Sequence, residues 1–206
     1  MRWSSQSKMD ARSALVDASR LAFARLLFSG TSGNLSVRTE TGMLITPTSV
    51  RYETLSPEDI VDMRLDGTVL EGRYAPSSEW RMHAVLYDRF PAIGAIVHTH
   101  SPYAAAFAAA GRPIPESLIE MRFFLGGDVP CAAYAAPGTR EVGLRCAEVL
   151  DGRGGCLMQN HGALAVGKDL DEAFLRAEYI EDAAKITLLS IQLGGPVLLP
   201  DTESTT

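Results

Sequence analysis

The run Ala95–Ser101 ends an apolar stretch with two histidines at alternate positions, and this constrains the fold more than any other feature. Ile96 and Val97 lead directly into His98 and His100, a pattern typical of a buried β-strand whose end carries two imidazoles. Because side chains alternate across a strand, residues two apart share a face, with their bases about 6.5–7 Å apart. Two imidazole nitrogens can then converge on one ion, each at about 2.0–2.1 Å. The sequence therefore predicts a metal-binding strand end.

Two residues from other parts of the chain could complete such a site. His161 lies in the turn-like segment Gln159–Ala163, and Glu79 follows two serines at the predicted start of a helix. Singly, these are an ordinary Asn-His-Gly turn and a glutamate that favours the helix dipole, both common. Together with the histidine pair they would give a four- or five-coordinate site with room for substrate. His83, one helical turn after Glu79, is expected to support the site from outside the ligand set.

Small polar residues suggest an anion pocket beside the metal. Ser77 and Ser78 bring hydroxyls and free backbone N–H groups to a helix start, which is a natural phosphate site. The segments Thr31–Asn34 and Thr46–Ser49 add further donors between predicted strands. Taken singly, such segments are plain turns. Their combination with the two serines favours a phosphate-binding function.

Periodicity and turn residues predict a chain in which helices and strands are mixed. Helices are expected at 7–28, 77–90 (capped by one of the two serines), 102–110, 139–150 and 170–193. Strands are expected at 34–38, 43–46, 60–64, 94–99, 129–133, 156–159 and 163–166, and 112–128 is expected to be a loop with a helical turn. Hairpin-like links such as Asp66-Gly67 favour a largely antiparallel sheet with helices on both faces. Residues 1–206 are expected to form one domain, with a frayed tail after about residue 200.

Composition excludes several classes of partner. A formal net charge of -6 and a pI near 5.2, without a basic stripe, argue against nucleic acid as the main partner. No segment approaches about 18 uncharged apolar residues, and the charged N-terminus is unlike a signal peptide, so no membrane partner is expected. Cys131, Cys146 and Cys156 lack metal-type spacing and are expected to be reduced thiols, which favours a cytoplasmic protein.

Five motifs occur in an order and spacing that resemble the class II aldolase/adducin family, and within it most closely the L-fuculose-1-phosphate aldolases. These are Ser32–Arg38, Ile45–Thr48, Pro76–His83, Val97–His100 and Gln159–Gly162, and the match is extended by Pro130–Tyr134 and Gly138–Glu141. The resemblance covers nearly the whole chain. It is highly specific for the family and much less so for one substrate.

The resemblance implies a three-layer α/β/α fold with a mixed, mostly antiparallel central sheet. It implies a homotetramer with active sites between subunits, and Zn²⁺, with Mn²⁺ or Co²⁺ as alternatives. The implied ligands are Glu79, His98, His100 and His161, with Glu79 also the catalytic acid/base. The implied phosphate-binding residues are Gly33, Asn34, Thr48, Ser77 and Ser78, with Ser49 where fuculose-phosphate aldolases have glycine.

The implied reaction is reversible cleavage of a ketose 1-phosphate to dihydroxyacetone phosphate and an aldehyde, through an enediolate that the metal stabilises. The family's catalytic tyrosine in the segment aligned with Ile119–Phe124 is absent here, as is one from a C-terminal tail; Tyr134 or Glu120 could substitute. Arg122 is expected to pair with an acid of another subunit. Sugar-phosphate epimerases, dehydratases and sugar-acid phosphate decarboxylases of the same family remain alternatives. A non-catalytic binding domain like that of adducin is a further alternative, disfavoured by the intact candidate ligands.

Overall fold

The structure is a computed structural model that describes residues 7–200. Within this range the helices are α1 (Lys8–Ala24), α2 (Trp80–Arg89), α3 (Pro102–Ala109), α4 (Arg140–Val149) and α5 (Leu170–Ile191). The strands are β1 (Asn34–Arg38), β2 (Met43–Ile45), β3 (Val61–Met63), β4 (Val69–Glu71), β5 (Ala95–Thr99), β6 (Cys131–Ala132), β7 (Gly155–Met158) and β8 (Gly162–Gly167). A 3₁₀ turn at Pro57–Asp59 and a π-helical turn at Met121–Leu125 lie between them. The predicted frayed tail beyond residue 200 lies outside the described residues.

All of these strands belong to one sheet, in the order β4-β3-β2-β1-β5-β8-β7-β6. Every neighbouring pair is antiparallel except β6 with β7, which run parallel. The mixed, mostly antiparallel sheet confirms the predicted fold class. The hairpin predicted at Asp66-Gly67 is present, because Gly67 adopts a φ of +100° and the Asp66 carboxylate accepts a hydrogen bond from the Thr68 amide at 2.9 Å.

Helices cover both faces of the sheet and enclose a separate hydrophobic core on each side. One core is built with α1, α3 and α5 and contains Leu15, Leu35 and Val97, all buried. The other is built with α2 and α4 and contains Ile96 and Leu164. The alternation of Ile96 and Val97 between the two cores is the period of two expected of a strand that is buried on both faces. The architecture is therefore three-layered, α/β/α.

Side-chain caps explain where two of the helices begin. The Ser7 hydroxyl accepts a hydrogen bond from the Asp10 amide at 3.1 Å at the start of α1. The Asp169 carboxylate accepts one from the Glu172 amide at 2.9 Å at the start of α5. Such caps satisfy amide groups that have no partner within the helix. No helix within residues 7–200 is both long and apolar enough to cross a membrane.

The predicted start of α2 was wrong by about three residues. Neither serine caps this helix; Glu79 occupies the N-cap position and the helix begins at Trp80. The reason is a pairing with a distant segment, because the Ser77 amide donates to the Thr46 carbonyl at 3.0 Å. A bridge between Pro47 and Pro76 extends this pairing. The chain is therefore still paired with a distant segment at Pro76 and Ser77, and a turn at residues 78–79 precedes the helix.

One expectation for residues 112–133 also needs correction. The strand predicted at 129–133 is limited to Cys131–Ala132, although the helical turn expected in the preceding loop is present. Arg122 pairs with Glu116 of its own chain, with Nε donating at 2.8 Å; its expected pairing with an acid of another subunit stays a prediction. It also donates to the Pro200 carbonyl at 2.8 Å, so it ties the end of the described chain to this loop.

Candidate metal centre

The topology brings one end of three strands together with the start of a helix. The amino ends of β1 and β8 flank the carboxyl end of β5, because both strands run antiparallel to it. His98 lies near that end of β5 and His100 directly beyond it. His161 lies in the corner that joins β7 to β8, and Glu79 precedes α2. One candidate ligand atom from each of these four residues lies within 4.8 Å of all the others.

The ring nitrogens and carboxylate oxygens of this cluster face one another at short range. His98 Nε2 lies 2.9 Å from Glu79 Oε2 and also 2.9 Å from His100 Nε2. His161 Nε2 lies 3.1 Å from Glu79 Oε1, without the geometry of a hydrogen bond. His98 is fully buried and Glu79 is 8% exposed. His98 and Glu79 are therefore largely shielded from water.

The donor set fits a divalent cation. His98 Nδ1 donates to the Ala163 carbonyl at 2.9 Å, which leaves Nε2 as the atom that accepts either a proton or a metal ion. Among the described residues, Glu79 Oε1 is buried without a hydrogen-bond partner, an arrangement that is costly unless a cation occupies the site. Three imidazole nitrogens and one carboxylate are the ligand types that zinc and similar ions prefer.

The electrostatics of the cluster hold Glu79 and His100 in their metal-binding forms. Burial, together with the imidazoles of His98 and His161, lowers the pKa of His100 to about 4, so this ring is neutral near pH 7. Burial acts to raise the pKa of Glu79, but interactions with His98 and His161 outweigh it and hold that pKa well below its usual value. Burial opposes a proton on His98, but the charge of Glu79 outweighs burial and raises the pKa. A bound cation would replace that proton.

Asn34 and His83 contact the cluster from outside the candidate ligand set. Asn34 Nδ2 donates to Glu79 Oε2 at 3.0 Å, and Asn34 Oδ1 lies 2.6 Å from His83 Nε2. His83 is fully buried and lies outside the group of converging ligand atoms. His83 therefore lies outside the candidate ligand set, as expected from the sequence. Asn34, predicted as a phosphate ligand, already uses one of its amide N–H bonds for Glu79.

A cavity of about 470 Å³ opens beside the cluster. Glu79, His100 and His161 form part of its wall. The residues predicted to bind phosphate all line the same cavity: Gly33, Asn34, Thr48, Ser49, Ser77 and Ser78. The structure therefore brings together the candidate metal ligands and the predicted anion donors, which come from five separate segments of the chain.

Two backbone features shape the wall of this cavity. Ser49 adopts a φ of +60°, a conformation that glycine adopts without strain. This conformation agrees with the glycine that the resemblance implies at this position. Gly33 has a φ of +98°, and a Cβ there would lie 2.4 Å from the Phe28 ring. Only glycine fits at residue 33 without displacing that ring.

Sequence reasoning missed several residues around the site. Pro137 and Gly138 also line the cavity; Gly138 belongs to a segment that extended the family match, but neither residue was predicted to belong to the site. Ser36 and Tyr87 form hydrogen bonds that lead to His83. Glu79, His83 and Tyr87 are spaced four residues apart, so one face of α2 could have been recognised from sequence.

The two residues considered as substitutes for the family tyrosine lie in different places. Tyr134 follows β6 and is 58% exposed; its amide donates to Gln159 Oε1 at 3.2 Å, two residues before His161. Glu120 immediately precedes the π-helical turn, which packs against α5.

Residues 13–188 match the family model described as Class II Aldolase and Adducin N-terminal domain. A 5-methylthioribulose-1-phosphate/5-deoxyribulose-1-phosphate aldolase from Rhodospirillum rubrum is 38% identical over 197 residues, which cover 96% of this chain and 89% of the relative. The L-ribulose-5-phosphate 4-epimerase UlaF from Salmonella paratyphi B is 36% identical over 177 residues, covering 80% of this chain and 78% of the relative.

The likeness extends to solved structures. An L-fuculose 1-phosphate aldolase superposes with a TM-score of 0.89 at 38% sequence identity, and the match covers 97% of this chain and 93% of that chain. The expected resemblance to this group of aldolases is confirmed. The chain therefore belongs to the class II aldolase and adducin family, as an enzyme of its class II aldolase branch.

Proposed function

We propose that the protein reversibly cleaves a ketose 1-phosphate to dihydroxyacetone phosphate and an aldehyde. The observation that carries this proposal is the convergence of Glu79, His98, His100 and His161 on the wall of a cavity whose other wall is lined with small hydrogen-bond donors. Relatives named as aldolases of 5-deoxyribulose 1-phosphate and of L-fuculose 1-phosphate support the same reaction. Both substrates place the phosphate next to a carbonyl carbon.

The three histidines and Glu79 would hold a divalent cation, for which we propose Zn²⁺, with Mn²⁺ or Co²⁺ as alternatives. When bound, such an ion acts as a Lewis acid that withdraws charge from the substrate carbonyl while the carbon–carbon bond breaks. His98 is held in position for this function by its hydrogen bond to the Ala163 carbonyl.

We assign proton transfer at C3 of the substrate to Glu79. In cleavage, the C4 hydroxyl loses a proton as the aldehyde forms, and the electron pair of the C3–C4 bond remains on C3. C3 must then gain a proton. The ionised Glu79 would take up the proton that leaves the C4 hydroxyl and deliver it to C3; in the synthetic direction Glu79 would remove the proton from C3 and return it to the aldehyde oxygen. Glu79 lines the cavity, and its Oε1 has no hydrogen-bond partner within residues 7–200, which supports the assignment of the transfer to this residue.

The phosphate group would be held by Ser77, Ser78 and Thr48, with Gly33, Asn34 and Ser49 completing the pocket. Hydroxyl and backbone N–H donors around the start of α2 suit an anion, because the amino end of a helix carries partial positive charge. Holding the phosphate fixes the position of C3 relative to Glu79, which lowers the entropy cost of proton transfer.

A second candidate is epimerisation at C4 of a pentulose 5-phosphate, and the Salmonella relative favours it. Both reactions break and form the C3–C4 bond, so the same cluster could serve either. They differ in the position of the phosphate, which lies far from the carbonyl in a 5-phosphate. Donors that line the cavity directly beside the candidate ligands favour a 1-phosphate.

The deciding experiment incubates the metal-loaded protein with L-fuculose 1-phosphate, 5-deoxyribulose 1-phosphate, 5-methylthioribulose 1-phosphate and L-ribulose 5-phosphate. Dihydroxyacetone phosphate is followed by coupled oxidation of NADH, and remaining ketose phosphate is analysed by NMR. Triose phosphate from one of the 1-phosphates supports the aldolase. Epimerised 5-phosphate without triose phosphate would replace it with the second candidate, and carbon dioxide from a sugar-acid phosphate would indicate a decarboxylase.

We further propose a homotetramer with active sites between subunits, located in the cytoplasm. Exposed apolar side chains support an assembly: Phe123 is 76% exposed, Leu193 89% and Val197 87%. Such exposure is unfavourable in water and typical of surfaces covered by a partner. The three cysteines are free thiols, which agrees with a reducing compartment. Light scattering after size exclusion measures the assembly directly.

A further inference from the structure

A continuous series of buried polar groups leads from the core of the α2 layer to Glu79. The Tyr87 hydroxyl lies 2.7 Å from Ser36 Oγ, which lies 2.7 Å from His83 Nδ1. His83 Nε2 lies 2.6 Å from Asn34 Oδ1, and Asn34 Nδ2 lies 3.0 Å from Glu79 Oε2. All five residues are buried, so these groups bond to one another and have little access to water.

The direction of every hydrogen bond in this series follows from the charge of Glu79. An ionised carboxylate only accepts, so Asn34 must present its NH₂ group to Glu79 and its carbonyl oxygen to His83. His83 Nε2 must then carry a proton and donate to Asn34. In a neutral ring Nδ1 is consequently an acceptor, and the Ser36 hydroxyl donates to it. Ser36 Oγ in turn accepts from the Tyr87 hydroxyl.

The neutral state of His83 has independent support. Burial and the charge of His98 lower the pKa of His83 to about 3, although Glu79 acts in the opposite direction. A protonated ring would donate from both nitrogens, and Ser36 would then have to accept from both His83 and Tyr87. The neutral ring permits one donor and one acceptor at each link between Tyr87 and Glu79.

This series makes the two carboxylate oxygens of Glu79 different. Oε2 receives the hydrogen bond from Asn34 and lies 2.9 Å from His98 Nε2, while Oε1, 3.1 Å from His161 Nε2, has no hydrogen-bond partner within residues 7–200. A carboxylate oxygen that accepts a hydrogen bond is less basic than one that does not. Without a fixed amide orientation, Asn34 could rotate and present its oxygen to the carboxylate, which would repel Glu79 from its position.

We propose that Tyr87, Ser36 and His83 are positioning residues that fix the Asn34 amide and thereby reserve Oε1 of Glu79 for proton transfer. This inference rests on the proposed acid/base function of Glu79. His83 acts through Asn34 and Glu79 and contacts neither the reacting atoms nor a bound ion. Its loss should therefore lower kcat without changing substrate binding or metal content.

The kinetic test uses two substitutions of His83. His83→Phe keeps a ring in the buried space but loses both hydrogen bonds, and we expect kcat to fall by about tenfold or more while KM stays within about twofold. His83→Gln retains an amide N–H donor that can reach Asn34, and it should recover part of kcat. A His83→Phe protein with wild-type kcat, or with KM and metal content changed instead, would overturn the proposal.

Two further variants keep the test decisive if His83→Phe does not fold. Ser36→Ala and Tyr87→Phe each remove one hydroxyl and alter the volume of the core little. Both should lower kcat, with Tyr87→Phe the weaker because its hydroxyl lies farther from Glu79. Unchanged kcat in both folded variants would contradict a positioning function for the series.

The direction of the hydrogen bonds can be measured independently of activity. In ¹⁵N-histidine-labelled wild-type protein, the ring of His83, assigned by its absence in His83→Gln, should carry a proton on Nε2 and none on Nδ1 from about pH 6 to 9. A doubly protonated ring or a proton on Nδ1 would refute the proposed direction. Absence of triose phosphate with every ketose phosphate would refute the aldolase function instead, while this spectrum would still test the series itself.

Discussion

Asn34 and His98 lie directly opposite each other in the antiparallel pair of β1 and β5. Asn34 Nδ2 and His98 Nε2 both approach the same oxygen, Oε2 of Glu79, at 3.0 and 2.9 Å. The pairing of these two strands therefore places the Asn34 amide beside His98, a candidate metal ligand, without any contribution from a substrate. The position of Glu79 depends on the register of these two strands.

Replacement of Glu79 by glutamine should separate metal binding from catalysis. Glu79→Gln keeps the three imidazoles, so bound metal should remain near the wild-type amount, while turnover in the triose phosphate assay should fall by about 100-fold or more. Glu141→Gln is a matched control, because Glu141 lies in the first turn of α4 and pairs with the exposed Arg145. Near-normal turnover of Glu79→Gln would remove its proposed function.

Removal of one imidazole should reduce the amount of bound metal. His98→Ala eliminates a buried ring nitrogen from the centre of the cluster, and we expect most of the metal to be lost when the protein is dialysed and measured by mass spectrometry. The control is His83→Phe, which also removes a buried imidazole but leaves the candidate ligands intact. Equal metal content in both variants would contradict the ligand assignment of His98.

Chelation should lower both activity and thermal stability, and both should return when Zn²⁺, Mn²⁺ or Co²⁺ is added. A ligand present at about 100 times its Kd stabilises the folded state by about 2.7 kcal/mol. For a chain of this length that corresponds to a rise in Tm of about 5–10 °C. Calorimetry with and without metal measures the change. A chelated protein with unaltered Tm and activity would argue against a metal centre.

Substitution of Ser78 should affect binding of phosphorylated substrates selectively. Ser78 is exposed at the cavity wall, so Ser78→Ala should leave the fold unchanged and raise KM for a ketose 1-phosphate about tenfold through the loss of a charge-assisted hydrogen bond. Ser190→Ala, on α5, is the control. A KM equal to that of the wild type would exclude Ser78 from the phosphate pocket.

Gly162 should be intolerant of a side chain. A Cβ at this position would lie 2.3 Å from the Thr99 carbonyl and 3.3 Å from His98 Cε1, so Gly162→Ala must displace β8 from β5. We expect a loss of about 1–3 kcal/mol in the free energy of unfolding and weaker metal binding. Gly111→Ala is the control, because its φ of +62° is strained for alanine but its nearest contact is 3.5 Å. Denaturant unfolding compares the two.

Much of the fold could be predicted because local sequence patterns determine it. The alternation around Ile96 and Val97 predicts a strand buried on both sides, and the turn at Asp66-Gly67 is encoded in two adjacent residues. The start of α2 could not be predicted in the same way, because it depends on Ser77 pairing with Thr46, 31 positions earlier in the sequence, and no local signal records that contact.

The candidate site was predictable to a similar extent. Residue types indicated a metal and a phosphate, and the structure brings those side chains together. The hydrogen bonds that Ser36 forms with His83 and Tyr87 were not predictable, because these residues meet only through the packing of β1 against α2. A serine within a strand has many ordinary functions, so its importance appears only in three dimensions.

The hydrogen-bond series from Tyr87 to Glu79 crosses between two layers at every step. Three of its members belong to α2 or its N-cap (Tyr87, His83 and Glu79), and the other two belong to β1 (Ser36 and Asn34). Each hydrogen bond therefore joins the helix to the strand. A slide of the helix along the sheet by even one ångström would stretch all four bonds together. The alignment of α2 with β1 and the ability of Glu79 to transfer a proton therefore depend on the same hydrogen bonds. A denaturant concentration that loosens α2 should lower turnover before it unfolds the chain.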